Sequence, residues 1–294
     1  MLKLEHLRVF VTVAETRALN DAADRLGRTP SAVSMTLKQI EATLDGALFE
    51  GERKVNLTSL GRHVLRHARR AITEFEVATT EISSFARGEE GEVRIAAVPS
   101  AATRLLPSAF ARLHRNRPNV RVVLRDMDSS AVVEAVEQKS VDIGIASPTS
   151  SSAALSEQLL LEDPFALLCR KDHPIAHLGR AATWQDIKPA EFIANGLCLD
   201  IPARELEQLV KSASLMVYNT SSLLAFVSEG FGITLLPALA IPADSDNVQA
   251  VELAQPRPSR RLATMSRPNE TLSPAAGALI GEIVTAAEAL RHDT

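Results

Sequence analysis

Between Leu4 and Glu15 the apolar residues Leu4, Leu7, Phe10, Val11 and Ala14 recur at spacings of three and four, which predicts an amphipathic helix. Leu19-Asn20 breaks that period, and a second short helix is predicted over residues 21–26, with Asn20 as N-cap and Gly27 at its end. Thr29-Pro30 has the form of an N-cap followed by proline at the first helical position, where the missing N–H costs nothing. A third helix therefore runs to about residue 43. On it Val33, Leu37 and Ile40 share a face and join Ala22, Ala23 and Leu26 in a core, leaving Ser31, Ser34, Met35 and Lys38 outward. Two short helices joined by a tight turn result.

After Leu48-Phe49 the polar run Glu50-Gly51-Glu52-Arg53-Lys54 precedes the extended piece Val55-Asn56-Leu57, a pattern that predicts a small β wing. Thr58 then caps a long helix reaching about residue 87. Its apolar positions Leu60, Val64, Ala68, Ala71, Ile72, Phe75, Ala78 and Ile82 form a near-heptad stripe that needs a partner surface, while His63, Arg66, His67, Arg69 and Arg70 decorate its first half. Gly88-Glu89-Glu90-Gly91 reads as a hinge and a domain boundary.

Beyond the hinge, short β-rich runs alternate with helical ones. Strands are predicted over residues 93–98, 120–126 and 141–146, separated by helices over 102–115 and 130–139. A second set follows, with strands over 165–170, 192–197, 215–218 and 233–235 and helices over 203–212 and 221–229; residues 147–156 read as a serine-rich loop. Such alternation predicts a mainly parallel sheet in two lobes of about a hundred residues each.

Composition narrows the function classes. With 46% hydrophobic and 23% charged residues, the chain is an ordinary globular one rather than disordered or fibrous. No apolar run approaches the roughly 18 residues of a membrane span, and the chain opens directly on the amphipathic pattern, so a cytoplasmic protein is expected. Cys169 and Cys198 belong to no CxxC pair and sit among apolar residues, which predicts reduced, part-buried thiols. The net charge of −4 hides an asymmetry: residues 1–70 hold twelve Lys/Arg and eight Asp/Glu, a net +4, leaving −8 for the rest. That positive end suits a polyanionic partner.

The stretches Leu7-Arg8-Val9-Phe10, Ala22-Ala23-Asp24-Arg25-Leu26, Ser31-Ala32-Val33-Ser34, Ile40-Glu41, Leu48-Phe49 and Leu57-Thr58 through Gly61 resemble the LysR-type transcriptional regulators. Further along, Leu106-Pro107, Asp142-Ile143-Gly144-Ile145, Asp172-His173-Pro174, Gly230-Phe231-Gly232-Ile233 and Leu272-Ser273-Pro274-Ala275-Ala276 are similar to that family's effector-domain landmarks, so the resemblance covers the whole chain. It implies an N-terminal winged helix-turn-helix over 1–58, a linker and dimerisation helix over 59–90, and a two-lobed α/β effector domain over 91–294 with a periplasmic-binding-protein-like fold. The chain would cross to the second lobe near Leu161 and return near Arg267. Two departures stand out, since Pro30 occupies a position where the family often has Gln and Met35 one where it often has Arg. Altered sequence preference, with DNA binding retained through phosphate contacts, is the expected consequence.

Reading DNA requires small or polar side chains near the start of the third helix, so that the backbone approaches the major groove. Asn20, Asp21, Thr29, Pro30, Ser31, Ser34, Met35 and Lys38 are therefore the candidate DNA contacts, with Arg53 and Lys54 of the wing candidates for phosphates. In the C-terminal part, Ser100 with Thr103, Ser129 with Ser130, Asn195, and Asn219 with Thr220 fall at junctions where strands end and helices begin, the place where open α/β sheets hold ligands. A small-molecule effector is expected there. Helix-terminus polarity favours an anionic one, a neutral one remaining open.

No GxSxG, P-loop, GxGxxG or HExxH occurs, and His63 and His67 lack a third ligand, so no enzyme, metal or cofactor is expected. The stripe of the long helix predicts a homodimer, and the resemblance implies a homotetramer. The alternative is a cytosolic solute-binding or enzyme domain whose N-terminal helices only dimerise; salt-dependent binding to duplex DNA separates the two.

Overall fold

The chain divides into two compact units, Met1–Ser84 and Phe85–Thr294. The computed structural model describes residues 1–292 apart from 52, 53, 55, 189, 190, 243 and 244, so Arg53 lies outside the described residues.

The first unit contains helices α1 (Leu4–Thr16), α2 (Leu19–Leu26) and α3 (Pro30–Leu44), the strands β1 (Phe49–Glu50) and β2 (Asn56–Leu57), and the long helix α4 (Ser59–Ala86). Phe10 is fully buried at its centre, edge-on to Phe49 with ring centroids 5.6 Å apart, and Val33, Leu37 and Ile40 close the core from α3. Antiparallel pairing of β1 with β2 forms the wing. Asn20 is not an N-cap. Arg17, at φ 56°, turns the chain so sharply after α1 that α2 already begins at Leu19, with Ala18 at the cap position and no capping side chain. Asn20 and Asp21 thus sit exposed in the first turn.

Two of the sequence landmarks have structural reasons. Glu41 holds the wing to α3 by accepting a hydrogen bond from the Leu48 N–H at 2.9 Å. Gly61, in the first turn of α4, lies so close to the wing that a Cβ there would stand 2.0 Å from the Leu48 carbonyl oxygen. Thr58 fixes that approach, accepting from the Gly61 N–H at 2.9 Å and donating to the Ala47 carbonyl at 2.7 Å.

In the second unit the strands are β3 (Glu90–Ala97), β4 (Asn119–Asp126), β5 (Ile143–Ala146), β6 (Ser156–Arg170), β7 (Ile193–Asn195), β8 (Leu215–Val217), β9 (Thr234–Pro237), β10 (Val248–Glu252) and β11 (Ser259–Ser266). The helices are α5 (Pro99–Arg104), α6 (Leu106–Asn116), α7 (Ser129–Glu137), α8 (Arg204–Ser212), α9 (Thr220–Ser228) and α10 (Pro274–His292). The main sheet runs β10-β6-β11-β5-β3-β4, with β9 also on β6.

The expectation of a mainly parallel sheet is corrected. Among the strands of the described residues β3 pairs parallel with β4 and β5 and β7 with β8, whereas β11 pairs antiparallel with both β5 and β6, and β10 and β9 pair antiparallel with β6. The cause is β6 itself, which starts nine residues before the predicted strand and carries the chain from one lobe to the other. Its first half pairs with β11, Leu161 opposite Leu262, and its second half with β9 and β10. Because β11 mirrors β6, the return crossing falls within Ser259–Ser266, and Arg267 already lies past it. The single helix expected over 102–115 is two helices broken at Leu105, since Pro107 lacks the N–H that a continuous helix needs.

Each lobe has its own core. Ile95, Leu105, Ile143 and Ile145 are fully buried in the first, and Leu167, Cys169, Leu206 and Leu235 in the second. The final helix α10 packs back onto α6 of the first lobe, where Arg112 donates to the Glu282 carboxylate at 2.8 Å.

Candidate functional site

Thr29 caps α3 through its hydroxyl, which accepts from the Ala32 N–H at 3.3 Å and lies 3.0 Å from the Ser31 hydroxyl. Pro30 begins the helix, as the missing N–H allows. Because Val33, Leu37 and Ile40 are buried, the remaining positions 31, 34, 35 and 38 share the opposite face. Ser31 and Lys38 are exposed, Met35 is 71% exposed, and Ser34 is half-buried between them. A small hydroxyl flanked by an open methionine and a lysine leaves this face free of bulk at its N-terminal end. Lys54 is differently placed. Its ammonium lies 3.6 Å from Glu41 and 5.5 Å from the centre of the Phe49 ring, so it braces the wing.

In the second unit a cleft of about 570 Å³ opens between the lobes. Its walls include Ser100, Ser129, Ser130, Asn195, Asn219 and Thr220, which come from the ends of β3, β4, β7 and β8 and from the helices and turns that follow. Thr103 does not line it. Its hydroxyl donates to the Pro99 carbonyl at 3.0 Å and the side chain is exposed elsewhere on α5.

The lining residues divide by what their polar atoms already do. Asn195 is buried and saturated: its Nδ2 donates to Thr234 Oγ1 at 3.0 Å and the Leu235 carbonyl at 2.9 Å, and its Oδ1 accepts from the Leu197 N–H at 3.0 Å. It shapes the wall. Asn219 caps α9 by accepting from the Ser222 N–H at 3.0 Å, and Ser129 accepts from the Ser147 N–H at 3.3 Å. The hydroxyls of Ser130 and Thr220 have no hydrogen bond among the described residues, which leaves them for a ligand.

Sequence reasoning placed no arginine in this cleft, and the structure corrects it. Arg260 of β11 lines it with a side chain only 9% exposed, paired with Asp163 at 3.0 Å through Nε and 2.7 Å through Nη2; Nη2 also donates to Ser100 Oγ at 2.6 Å. Burial pulls the guanidinium below its ordinary pKa and the Asp163 carboxylate opposes that pull, so the group stays charged. Asp126, Asp128 and Tyr218 are the other charged or aromatic lining residues that sequence reasoning missed.

Comparison with known proteins finds family matches in both units. Residues 4–62 match a family model described as a bacterial regulatory helix-turn-helix protein of the lysR family, and residues 86–288 match the LysR substrate binding domain. The chain belongs to the LysR family. It is thus a DNA-binding transcriptional regulator with an effector-binding domain, and the family is one of regulators.

This LysR regulator is 30% identical over 282 residues to the uncharacterized HTH-type transcriptional regulator YfeR of Shigella flexneri, covering 94% of this chain and 91% of the relative. It is 27% identical over 285 residues to the hydrogen peroxide-inducible genes activator of Dickeya chrysanthemi, covering 92% and 91%. Full-length CbnR, in a crystal structure with its target DNA, shares the fold with a TM-score of 0.77 at 19% identity, over 97% of this chain and 100% of that one.

The cysteines of this regulator are set against oxidant chemistry. Burial pushes the thiols of both Cys169 and Cys198 up to about 11, so the thiolate that would attack peroxide is scarce near neutrality. Both thiols should therefore resist Ellman's reagent in the native protein at about pH 8 and react promptly once it is unfolded in guanidinium. Rapid labelling of the native chain would show that one of them is open and activated.

Proposed function

We propose that this LysR regulator reads its operator with the exposed face of α3 and changes its action on transcription when a small molecule occupies the cleft between the lobes. One observation carries the effector half. Six of the seven polar positions expected from strand-to-helix junctions converge on a single 570 Å³ cleft, together with a buried arginine. Cavities of this size, walled by apolar residues with a few convergent polar groups, take small organic ligands. Ser130 and Thr220 supply uncommitted hydroxyls, and Arg260, Ser100 and Ser129 a polar floor.

On the DNA side, Ser31, Ser34, Met35 and Lys38 face the groove, with Thr29 and Pro30 setting the angle of entry and Asn20 and Asp21 exposed at the start of α2. Arg53 remains a candidate phosphate contact, whereas Lys54 supports the wing. Ser34 sits nearest the centre of the face, so a larger acid there would hold α3 away from the groove and repel the phosphates. Ser34→Glu should lower affinity for the cognate operator by at least about a hundredfold, some 2.7 kcal/mol, with circular dichroism unchanged. Wild-type affinity in a salt-controlled titration would refute the placement of α3.

Two copies are proposed to assemble through α4, with further association through the second unit giving a tetramer. A cytoplasmic location is part of this reading, supported by the binding of DNA; among the described residues no helix is long and apolar enough to cross a membrane.

A further inference from the structure

We propose that the effector is bipolar, an amino-acid-like molecule that presents a carboxylate or carbonyl oxygen to Arg260 and a protonated amine to Asp126 and Asp128. This inference rests on the cleft being the effector site. Its basis is the set of charges the cleft walls leave unanswered.

Arg260 and Asp163 neutralise each other, and Arg260 is the only basic residue among the described residues that line the cleft. Its Nε and Nη2 are committed to Asp163 and Ser100, whereas Nη1 has no hydrogen-bond partner among the described residues. Nη1 therefore offers two unspent N–H donors, and a ligand that covers them must supply an acceptor oxygen.

The opposite demand comes from the turn between β4 and α7. Asp126 is exposed at the end of β4 and its carboxylate has no partner among the described residues. Asp128 caps α7 with one oxygen, accepting from the Ala131 N–H at 2.9 Å, and its second oxygen is unbonded among the described residues. Both line the cleft, and neither has an ion-pair partner among the described residues. The 77% exposed Tyr218, set against Gly196, adds an aromatic surface of the kind that favours an organic cation.

A purely anionic ligand would satisfy Arg260 but enter a cleft already carrying two uncompensated carboxylates, where like charges oppose it. A simple amine would satisfy the aspartates and bury the Nη1 donors without an acceptor. Only a molecule with both groups answers the charged groups of both walls. The helix-terminus polarity that favoured an anion in the sequence is outweighed here by whole charges on the same wall.

The test uses the full-length protein in thermal shift and calorimetry against a set of L-amino acids and ω-amino acids, each paired with its N-acetyl derivative and its decarboxylated amine. At least one zwitterion should bind, and removing either charge should weaken it about tenfold or more, as loss of a charged hydrogen bond does. The double variant Asp126→Asn/Asp128→Asn, which keeps the oxygen capping α7, should weaken the zwitterion by a similar factor and bind its N-acetyl derivative, a pure anion, at least as tightly as wild type does. The proposal is overturned if an N-acetyl derivative binds as tightly as its zwitterion, if the double variant binds the zwitterion like wild type, or if no amine-bearing compound binds. Ser129→Ala and Thr220→Val separate the levels of failure: where they still weaken a ligand of another charge, the cleft stands and the charge class alone falls.

Discussion

Replacing Asp163 with alanine should destabilise the second unit by about 3–5 kcal/mol, a fall in its melting temperature of roughly 6–20 °C. Asp163 is 2% exposed and serves three donors, the Nε and Nη2 of Arg260 and the Leu239 N–H at 3.0 Å. Without it a guanidinium with a side chain 9% exposed keeps its charge with only Ser100 as a partner, and the Leu239 N–H loses its acceptor. Removing both charges is gentler. Asp163→Ala/Arg260→Met should recover most of the loss, because an apolar side chain of similar length fills the space without needing a counter-ion. Urea unfolding of the full chain, followed through the transition of the second unit, measures both variants. A cost below about 1 kcal/mol for the single variant would mean that water reaches the pair and that Arg260 is not the buried floor of the cleft.

That pair also marks the limit of what the sequence discloses. Thr29-Pro30 announces the start of α3, and the spacing of Val33, Leu37 and Ile40 selects its buried face, because both signals act within a few residues. The same holds for the cleft hydroxyls, since a polar residue where an apolar run gives way to a helical period lies at the end of a strand wherever that strand is placed. Arg260 and Asp163, by contrast, are directly opposed across β11 and β6 and are 97 residues apart. Nothing local distinguishes Arg260 from Arg261 beside it. Their meeting depends on β6 crossing between lobes, and the charged run Glu162-Asp163-Pro164 hides that strand from a reading by hydrophobic period. Asn20 failed for a local reason, because the left-handed turn at Arg17 brought the start of α2 forward by two residues.

The apolar stripe on α4 was legible in the sequence as a pattern, and it supports the second large effect. Leu60, Val64 and Leu65 pack into the core of the first unit and Ala68 is buried, but beyond Ile72 the apolar positions are open: Phe75 is 48% exposed and Ile82 69%. A helix of 28 residues extends about 42 Å, too far for one small core to cover. Pairing two such helices would bury both copies of Phe75, and Phe75→Glu would instead bring two carboxylates into that seam. Each lost phenylalanine removes about 1.5–3 kcal/mol of burial, so the dimer should weaken by at least about a hundredfold and sediment as monomer at micromolar concentration. Phe75→Leu should stay associated. Operator binding gives a second, independent readout, because two copies of α3 held a fixed distance apart bind two half-sites as one event. Monomers should bind the operator at least about a hundredfold more weakly and with a shallower salt slope, since fewer phosphates are neutralised per binding event. If Phe75→Glu sediments like wild type, the stripe is covered by something other than its counterpart; if it dissociates yet binds the operator unchanged, a single copy of α3 is enough to read the site.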